Sequence, residues 1–334
     1  MRVILCHYQK FMSEIKYLQQ LIHDKLLQVP FPSHPASLYD PIRYMLSIGG
    51  KRMRPLLVLM GCDLYKGNID KAINPALAVE VFHNFTLLHD DIMDNAPVRR
   101  SKPTVHAKWN SNIAILSGDA MFVKAIQLLM QTDETKITAL TEIFTATALE
   151  VCEGQQLDMD FESRTDVSLD DYLEMIQLKT AVLLGCSLKM GAIIAGASEE
   201  DCNYIYTAGC DLGIAFQLQD DLLDLYGDEQ QFGKLPGGDV VANKKTYLLL
   251  KALELSNEKQ KAEMVLIMQG GLTAEEKVQR MKTVFNELNI AELTIEKMEF
   301  YYKSAMDLID ALHVEPSRKQ QLIQLSEGLK VRVT

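Results

Sequence analysis

The sequence predicts an all-α protein, one large helical bundle, and three observations carry that expectation. Prolines punctuate the ends of the chain but not its middle: all lie at or before Pro103 except Pro236 and Pro316, so residues 104–235 contain none. Long helices can run unbroken there, because every residue keeps the amide hydrogen a helix interior needs. Strand signals are scarce, with no Asn-Gly or Asp-Gly hairpin turn and only short β-branched runs. Helix starts are plentiful. Asn74-Pro75 sets a cap residue before a proline suited to the first helical position, and Ser168…Asp171, Ser198…Asp201 and Thr273…Glu276 have capping-box spacing. About a dozen helices are expected, with 154–166 and 228–240 as the longer polar connections. Neither a low-complexity linker nor a solenoid-length repeat breaks the chain, so residues 1–334 are read as one domain. Met12 begins the first amphipathic pattern, which leaves 1–11 as a disordered extension or a misplaced start.

With 334 residues, 48% of them hydrophobic, the chain can bury a large core. Acidic residues outnumber basic ones by 45 to 34, giving a net charge of −11. Such a chain lacks the clustered positive charge of a nucleic-acid binder, and a polyanionic substrate would need cations to mediate its binding. Cys6, Cys62, Cys152, Cys186, Cys202 and Cys210 form no Cys-x-x-Cys pair and have no histidine at zinc-ligand spacing. They read as buried or half-buried thiols in a reducing cytoplasm. The first residues hold only a four-residue apolar run, too short for a signal peptide. No uncharged apolar stretch approaches about 18 residues, so no membrane span is expected.

One local pattern occurs twice. Asp90, Asp91 and Asp94 lie in LLHDDIMD, and Asp220, Asp221 and Asp224 lie in QLQDDLLD. In each, the first and last aspartates fall about one helical turn apart on one face. A single such triplet is an ordinary solvated helix end. Two copies with identical spacing, both at the carboxyl end of an apolar helix where the dipole disfavours negative charge, point instead to hard-cation binding, for which Mg²⁺ is the natural candidate. Cations flank both copies. Gly49-Gly50-Lys51-Arg52-Met53-Arg54-Pro55 is a tight turn carrying three cations into a helix start, Arg99-Arg100 follow the first triplet, and Lys234 and Lys244-Lys245 follow the second. Diphosphates bound through magnesium and pinned by Arg and Lys would use every one of these elements.

Competing motifs fail on spacing. Gly227…Gly233-Lys234 has five residues between its glycines where a phosphate loop has four, and Leu235 stands where that loop needs a hydroxyl. No Gly-x-Gly-x-x-Gly follows a strand. His83 and His89-Asp90 suit one helix face better than a two-helix metal site, which makes His83 a core or substrate-facing histidine.

Taken together, GGKRMRP, LLHDDIMDNAPVRR, Lys179-Thr180 and FQLQDDLLDLYGD…GK resemble the trans-isoprenyl diphosphate synthases, the farnesyl and geranylgeranyl synthase family, in family order over about residues 43–247. The resemblance implies an antiparallel isoprenoid-synthase bundle around a central cavity, commonly a homodimer, that condenses isopentenyl diphosphate head-to-tail with an allylic diphosphate. By position it implies that Asp90 and Asp94, supported by Asp91, hold two Mg²⁺ on the allylic diphosphate. Asp220 would hold a third, with Asp221 and Asp224 behind it. Arg99, Lys179 and Lys234 match allylic-diphosphate cations, while Lys51, Arg54, His83 and Arg100 match the isopentenyl-diphosphate site. Thr180 and Gln217 match polar groups beside the carbocation, and Lys244 a lysine that closes over the site. The LPGG stretch after Lys234 is one residue longer than in some relatives, which makes Lys244 the least secure match.

The chemistry expected is electrostatic. Metals and cations take up charge as the C–O bond to diphosphate breaks, and an apolar cavity then holds the allylic cation beside the isopentenyl double bond. The final proton goes to released diphosphate, since no side-chain base is evident. A terpene cyclase would mix Asn, Ser and Glu in its second metal motif, and a non-catalytic subunit of a heteromeric, longer-chain synthase usually loses acidic motifs; both triplets are intact here. For product length, the residue five positions before the first motif forms a floor in the family. Phe85 with Thr86 matches the geranylgeranyl-type arrangement and Phe82 lies nearly a turn deeper, so a product of fifteen to twenty carbons is expected, twenty favoured. Both phenylalanines would equally serve as plain core packing.

Overall fold

A computed structural model describes the backbone of residues 2–227 and 237–330, with side chains from 13 to 227 and 237 to 328. It is all-α apart from one hairpin. The helices are α1 (Arg2–Leu27), α2 (Ala36–Ser47), α3 (Met53–Leu64), α4 (Ile69–Met93), α5 (Val105–Lys108), α6 (Ser111–Leu129), α7 (Ile137–Ser163), α8 (Leu169–Ile176), α9 (Val182–Ala195) and α10 (Glu199–Tyr226). After the second triplet come α11 (Gly238–Val241), α12 (Tyr247–Leu255), α13 (Glu258–Gln269), α14 (Ala274–Glu287), α15 (Ile290–Ala311) and α16 (Pro316–Lys330). Strands β1 (Val98–Arg99) and β2 (Lys102–Pro103) pair antiparallel. The contacts divide the chain into two compact units: Met1–Ala146 with Cys186–Ile205 and His313–Gln321, and Thr147–Gly185 with Tyr206–Leu312 and Leu322–Thr334.

In the first unit α4 is the central helix. It has no polar stripe, and a helix that is apolar all round belongs in an interior. Ala72, Ala76, Val79, Phe82 and Leu88 are all buried, against α3 and α6. Glycines let α3 and α9 meet closely: a Cβ at Gly61 or Gly191 would overlap the facing backbone. The second unit carries α10 from Tyr206 onward and the capped helices α8, α13 and α14. Ser168–Asp171 and Thr273–Glu276 form reciprocal capping boxes as expected, and Asn257–Gln260 adds one that the sequence reading passed over. At Ser198 half the expected box is present: its hydroxyl accepts from the Asp201 amide, while the Asp201 carboxylate accepts from the His313 amide instead.

Four local expectations are corrected. The helix expected to start at Asn74-Pro75 starts six residues earlier, where the Asn68 side chain accepts from the Asp70 amide at 2.9 Å; Pro75 is carried inside α4 and buried there. Residues 154–163 are not a connection, because α7 continues to Ser163; Asp158 and Asp160 gave a polar stretch its loop-like composition. Residues 2–11 are helical and continue α1, with no Pro or Gly to interrupt them. The hairpin turn uses Arg100 and Ser101, at φ 50° and 61°, where the sequence shows no glycine. Two helical stretches, Ser111–Leu129 and Leu169–Ala195, reach the length and hydropathy of a membrane span; the second is 67% buried, as a core helix is.

A buried ion pair anchors the turn before α3. Arg52, left-handed at φ 49°, donates to Glu80 of α4 at 2.5 Å and to the Leu46 carbonyl at 2.8 Å. Asn84 also donates to Glu80 at 3.0 Å. Removing one partner strands the other charge in the interior, so Glu80→Ala is expected to lower unfolding stability by about 3–5 kcal/mol, measured by denaturant titration. A loss within about 0.5 kcal/mol would show that the pair does not hold the turn.

Candidate active site

The first triplet closes α4. Asp91 is the member that turns inward, and it accepts from Arg99 Nε at 2.8 Å. Burial raises its pKa and the Arg99 charge opposes that rise. Asp90 is half-buried and lies 3.4 Å from Arg99 Nη2, while Asp94 is exposed at the C-cap, its amide bonded to the Asp90 carbonyl at 2.9 Å. One turn of helix therefore offers Asp90 and Asp94 outward, with Asp91 braced behind them.

The cations of this site come from two separate places in the chain, the β1–β2 hairpin and the turn before α3. The β1–β2 hairpin delivers Arg99 to the triplet and Arg100 to the Gly49-Gly50 turn, where Arg100 donates to the Gly49 carbonyl. Gly50 has φ 134°, a conformation that favours glycine, and the Arg100 guanidinium lies where a Cβ would stand. Arg54 Nη1 lies 3.1 Å from His83 Nε2. Burial and the surrounding arginines, Arg54 foremost, hold His83 well below its ordinary pKa, so its ring is neutral and accepts from Arg54. Burial lowers Arg54 to about 10, and its buried Nε has no hydrogen-bond partner among the described residues. Lys51 is exposed on the same turn. Arg52, counted in the sequence as a third cation there, is committed to Glu80.

In the second unit a π-helical turn, Gln177–Ala181, separates α8 from α9 and carries Lys179 and Thr180. The extra residue re-aims side chains, and such turns recur at functional sites. Lys179 Nζ is 2.5 Å from Asp158 Oδ2 on α7, and Lys244 Nζ reaches the same oxygen at 3.8 Å. Thr180 donates to Gln217 at 3.4 Å, and Gln217 to Asp221 at 3.2 Å. Asp221 is buried and also accepts from the Tyr172 hydroxyl. Burial pushes its pKa up to about 7 against those hydrogen bonds. Asp224 accepts from the Asp239 amide at 3.0 Å, and its carbonyl from the Gly237 amide at 2.5 Å, so it ties α10 to α11. Asp220 is the exposed member of this triplet. A small recess is lined in part by Asp221, Asp224, Asp239 and Lys244. Lys234 falls outside the described residues. Lys245 donates to the Phe161 and Glu162 carbonyls and caps α7.

The donor set suits a hard cation shared with a ligand. Among the described residues, no three His, Cys, Asp or Glu side chains form a closed cage. Mg²⁺ is commonly held by one or two carboxylates with substrate phosphates completing the shell, and buried Asp91 Oδ2 has no hydrogen-bond partner among those residues. Carboxylates presented singly or one turn apart, beside arginine and lysine, fit that mode.

Sequence reasoning missed Asp158 and Tyr172. Asp158 lies in a polar stretch whose composition resembles a loop. Tyr172 is apolar in pattern, and only the fold brings its hydroxyl to Asp221, 49 positions away.

The polyprenyl synthetase family model matches residues 35–288, and the chain belongs to that family, the trans-isoprenyl diphosphate synthases. Geranylgeranyl diphosphate synthase of Sulfolobus acidocaldarius is 39% identical over 82% of this chain and 84% of its own. Geranylfarnesyl diphosphate synthase of Natronomonas pharaonis is 38% identical over 72% and 76%. A crystal structure of a geranylgeranyl pyrophosphate synthase superposes with a TM-score of 0.90 at 47% identity, covering 95% of this chain and 98% of that one. The fold is the isoprenoid synthase fold and the protein is a short-chain trans-prenyltransferase.

Asp158 is expected to hold Lys179 and Lys244 ready for an anion. Asp158→Asn keeps the shape but releases both cations, and the expected result is a loss of about 10²-fold in kcat/KM for the allylic substrate. Unchanged kinetics with correctly folded protein would remove Asp158 from the site.

Proposed function

We propose that the enzyme condenses isopentenyl diphosphate with allylic diphosphates to a twenty-carbon all-trans product, with Mg²⁺ as its metal and about three ions per active site. The observation that carries the length is Phe85, five positions before Asp90, whose ring stacks on Phe122 of α6 at 5.4 Å and 26°. A chain anchored by its diphosphate at Asp90 runs back along α4, where each turn rises about 5.4 Å, and meets that ring. Phe82, packed fully against Phe85, Phe122 and Phe144, backs the floor, and Thr86 is tied by its hydroxyl to the His83 carbonyl.

In this reading Asp90 and Asp94, with Asp91 braced by Arg99, and Asp220, with Asp221 and Asp224 behind it, would hold the metal. When bound, Mg²⁺ supplies charge neutralisation at the departing diphosphate. Arg99, Lys179 and Lys234 pin the allylic diphosphate, and Lys244 closes over the site. Lys51, Arg54, His83 and Arg100 bind isopentenyl diphosphate; the buried Arg54 Nε, without a partner among the described residues, supports that role. Thr180 and Gln217 present oxygen dipoles to the cationic carbon. Geranylfarnesyl synthases among the relatives make a twenty-five-carbon product the second reading.

The test is incubation with isopentenyl diphosphate and dimethylallyl, geranyl or farnesyl diphosphate, with dephosphorylated products resolved by mass. Twenty carbons should dominate, turnover should vanish in excess chelator and Mg²⁺ should restore it. A dominant product beyond twenty carbons would overturn the length assignment, and full turnover without metal the metal assignment.

We also infer a homodimer in the reducing cytoplasm. Leu116, Val123 and Met130, seven residues apart, are 61%, 54% and 61% exposed along and just beyond α6, with Ile115 beside them. A stripe of that period suits a second helix. The described cysteines are free thiols, four of them buried and Cys152 exposed, which fits that compartment. Light scattering should give twice the chain mass, and Leu116→Glu/Val123→Glu should yield monomer; a dimeric double variant would place the interface elsewhere.

A further inference from the structure

We propose that His89, seated against Gly118, is the positioning residue that holds Phe85 in place and thereby sharpens product length. This rests on the reading of Phe85 as the floor. The His89 ring meets Phe85 edge-on, centroids 4.8 Å apart at 65°, while the Phe85 ring is also stacked against Phe122. Phe85 and His89 are one turn apart on α4, and Gly118 and Phe122 one turn apart on α6. The two steps interlock, and Phe85 is bounded by His89 and Phe82 from its own helix and by Phe122 from α6.

His89 is itself held at two points. Its Nε2 lies 3.2 Å from the Ile115 carbonyl, which can only accept, so the hydrogen is on Nε2. A Cβ at Gly118 would overlap the His89 ring at Nε2 and Cδ2, so the ring occupies space that only glycine leaves. The arrangement is a stop with a fixed back. Without the His89 ring, Phe85 keeps its stack on Phe122 but gains room to swing toward the vacated space, and a chain one isoprene unit longer can be accommodated.

His89→Ala, Gly118→Ala, the double variant and Phe85→Ala are compared by mass analysis of products, each normalised to its own total turnover. A residue that serves only the fold would lower turnover and leave the proportions unchanged. His89→Ala is expected to raise the ratio of products longer than the wild-type chain by about two- to tenfold, the worth of one aromatic pair. Gly118→Ala, which displaces the ring, should raise it similarly. In the double variant Gly118→Ala should add no further lengthening, because the ring it acts on is gone. Wild-type proportions in a folded His89→Ala or a folded Gly118→Ala, or additive lengthening in the double variant, would overturn the proposal. If one single variant fails to fold, the other decides. Phe85→Ala separates the two layers. Lengthening there without lengthening in His89→Ala leaves the floor standing and removes His89. No lengthening in Phe85→Ala removes the floor and the His89 proposal with it.

Discussion

Charge gathered for a polyanion must be held in place without cancelling itself, and much of this structure answers that constraint. Like charges in a low-dielectric site repel strongly and cost desolvation, so the charged groups here are braced by ion-paired or hydrogen-bonded neighbours. Asp91 turns inward to Arg99 and leaves Asp90 and Asp94 outward. Asp221 is buried between Tyr172 and Gln217 and leaves Asp220 exposed. Asp158 gathers Lys179 and Lys244. The two triplets thus share a division of labour as well as a spacing: one aspartate of each faces the interior and fixes the helix end that presents the others.

The third member of each triplet shows where that symmetry stops. Asp94 is the C-cap of α4 and exposed, whereas Asp224 spends its carboxylate on the amide of Asp239. The second triplet therefore also organises the chain that follows it, the segment that returns Lys244 toward Asp158. In the first unit that organising role falls to the hairpin and to Arg52–Glu80, which set the Gly49-Gly50 turn against Arg100.

Some of the fold was readable because its causes are local. The proline-free stretch 104–235 marked where long helices run, and two capping boxes, which act within a few residues, marked the starts of α8 and α14. Boundaries failed where burial overrode local preference. Pro75 sits inside α4 because Asn68 caps earlier and the helix is buried around it, and α7 runs through a polar stretch that resembled a loop. The hairpin was invisible because Arg100 and Ser101 adopt left-handed angles that sequence assigns to glycine or asparagine.

By itself the sequence determined the chemistry: which residue types recur, at what spacing, and hence the metal-and-diphosphate logic and the family. Those are properties of short motifs, and helical periodicity alone puts Asp90 and Asp94 on one face. Only the tertiary structure decided which charge faces where. Arg52 and Arg54 are two residues apart, yet a left-handed turn buries one against Glu80 and sets the other on His83. Tyr172, Asp158 and Gly118 carry no signal as letters, because what each does depends on a partner on another element, brought within reach by packing that no local pattern encodes.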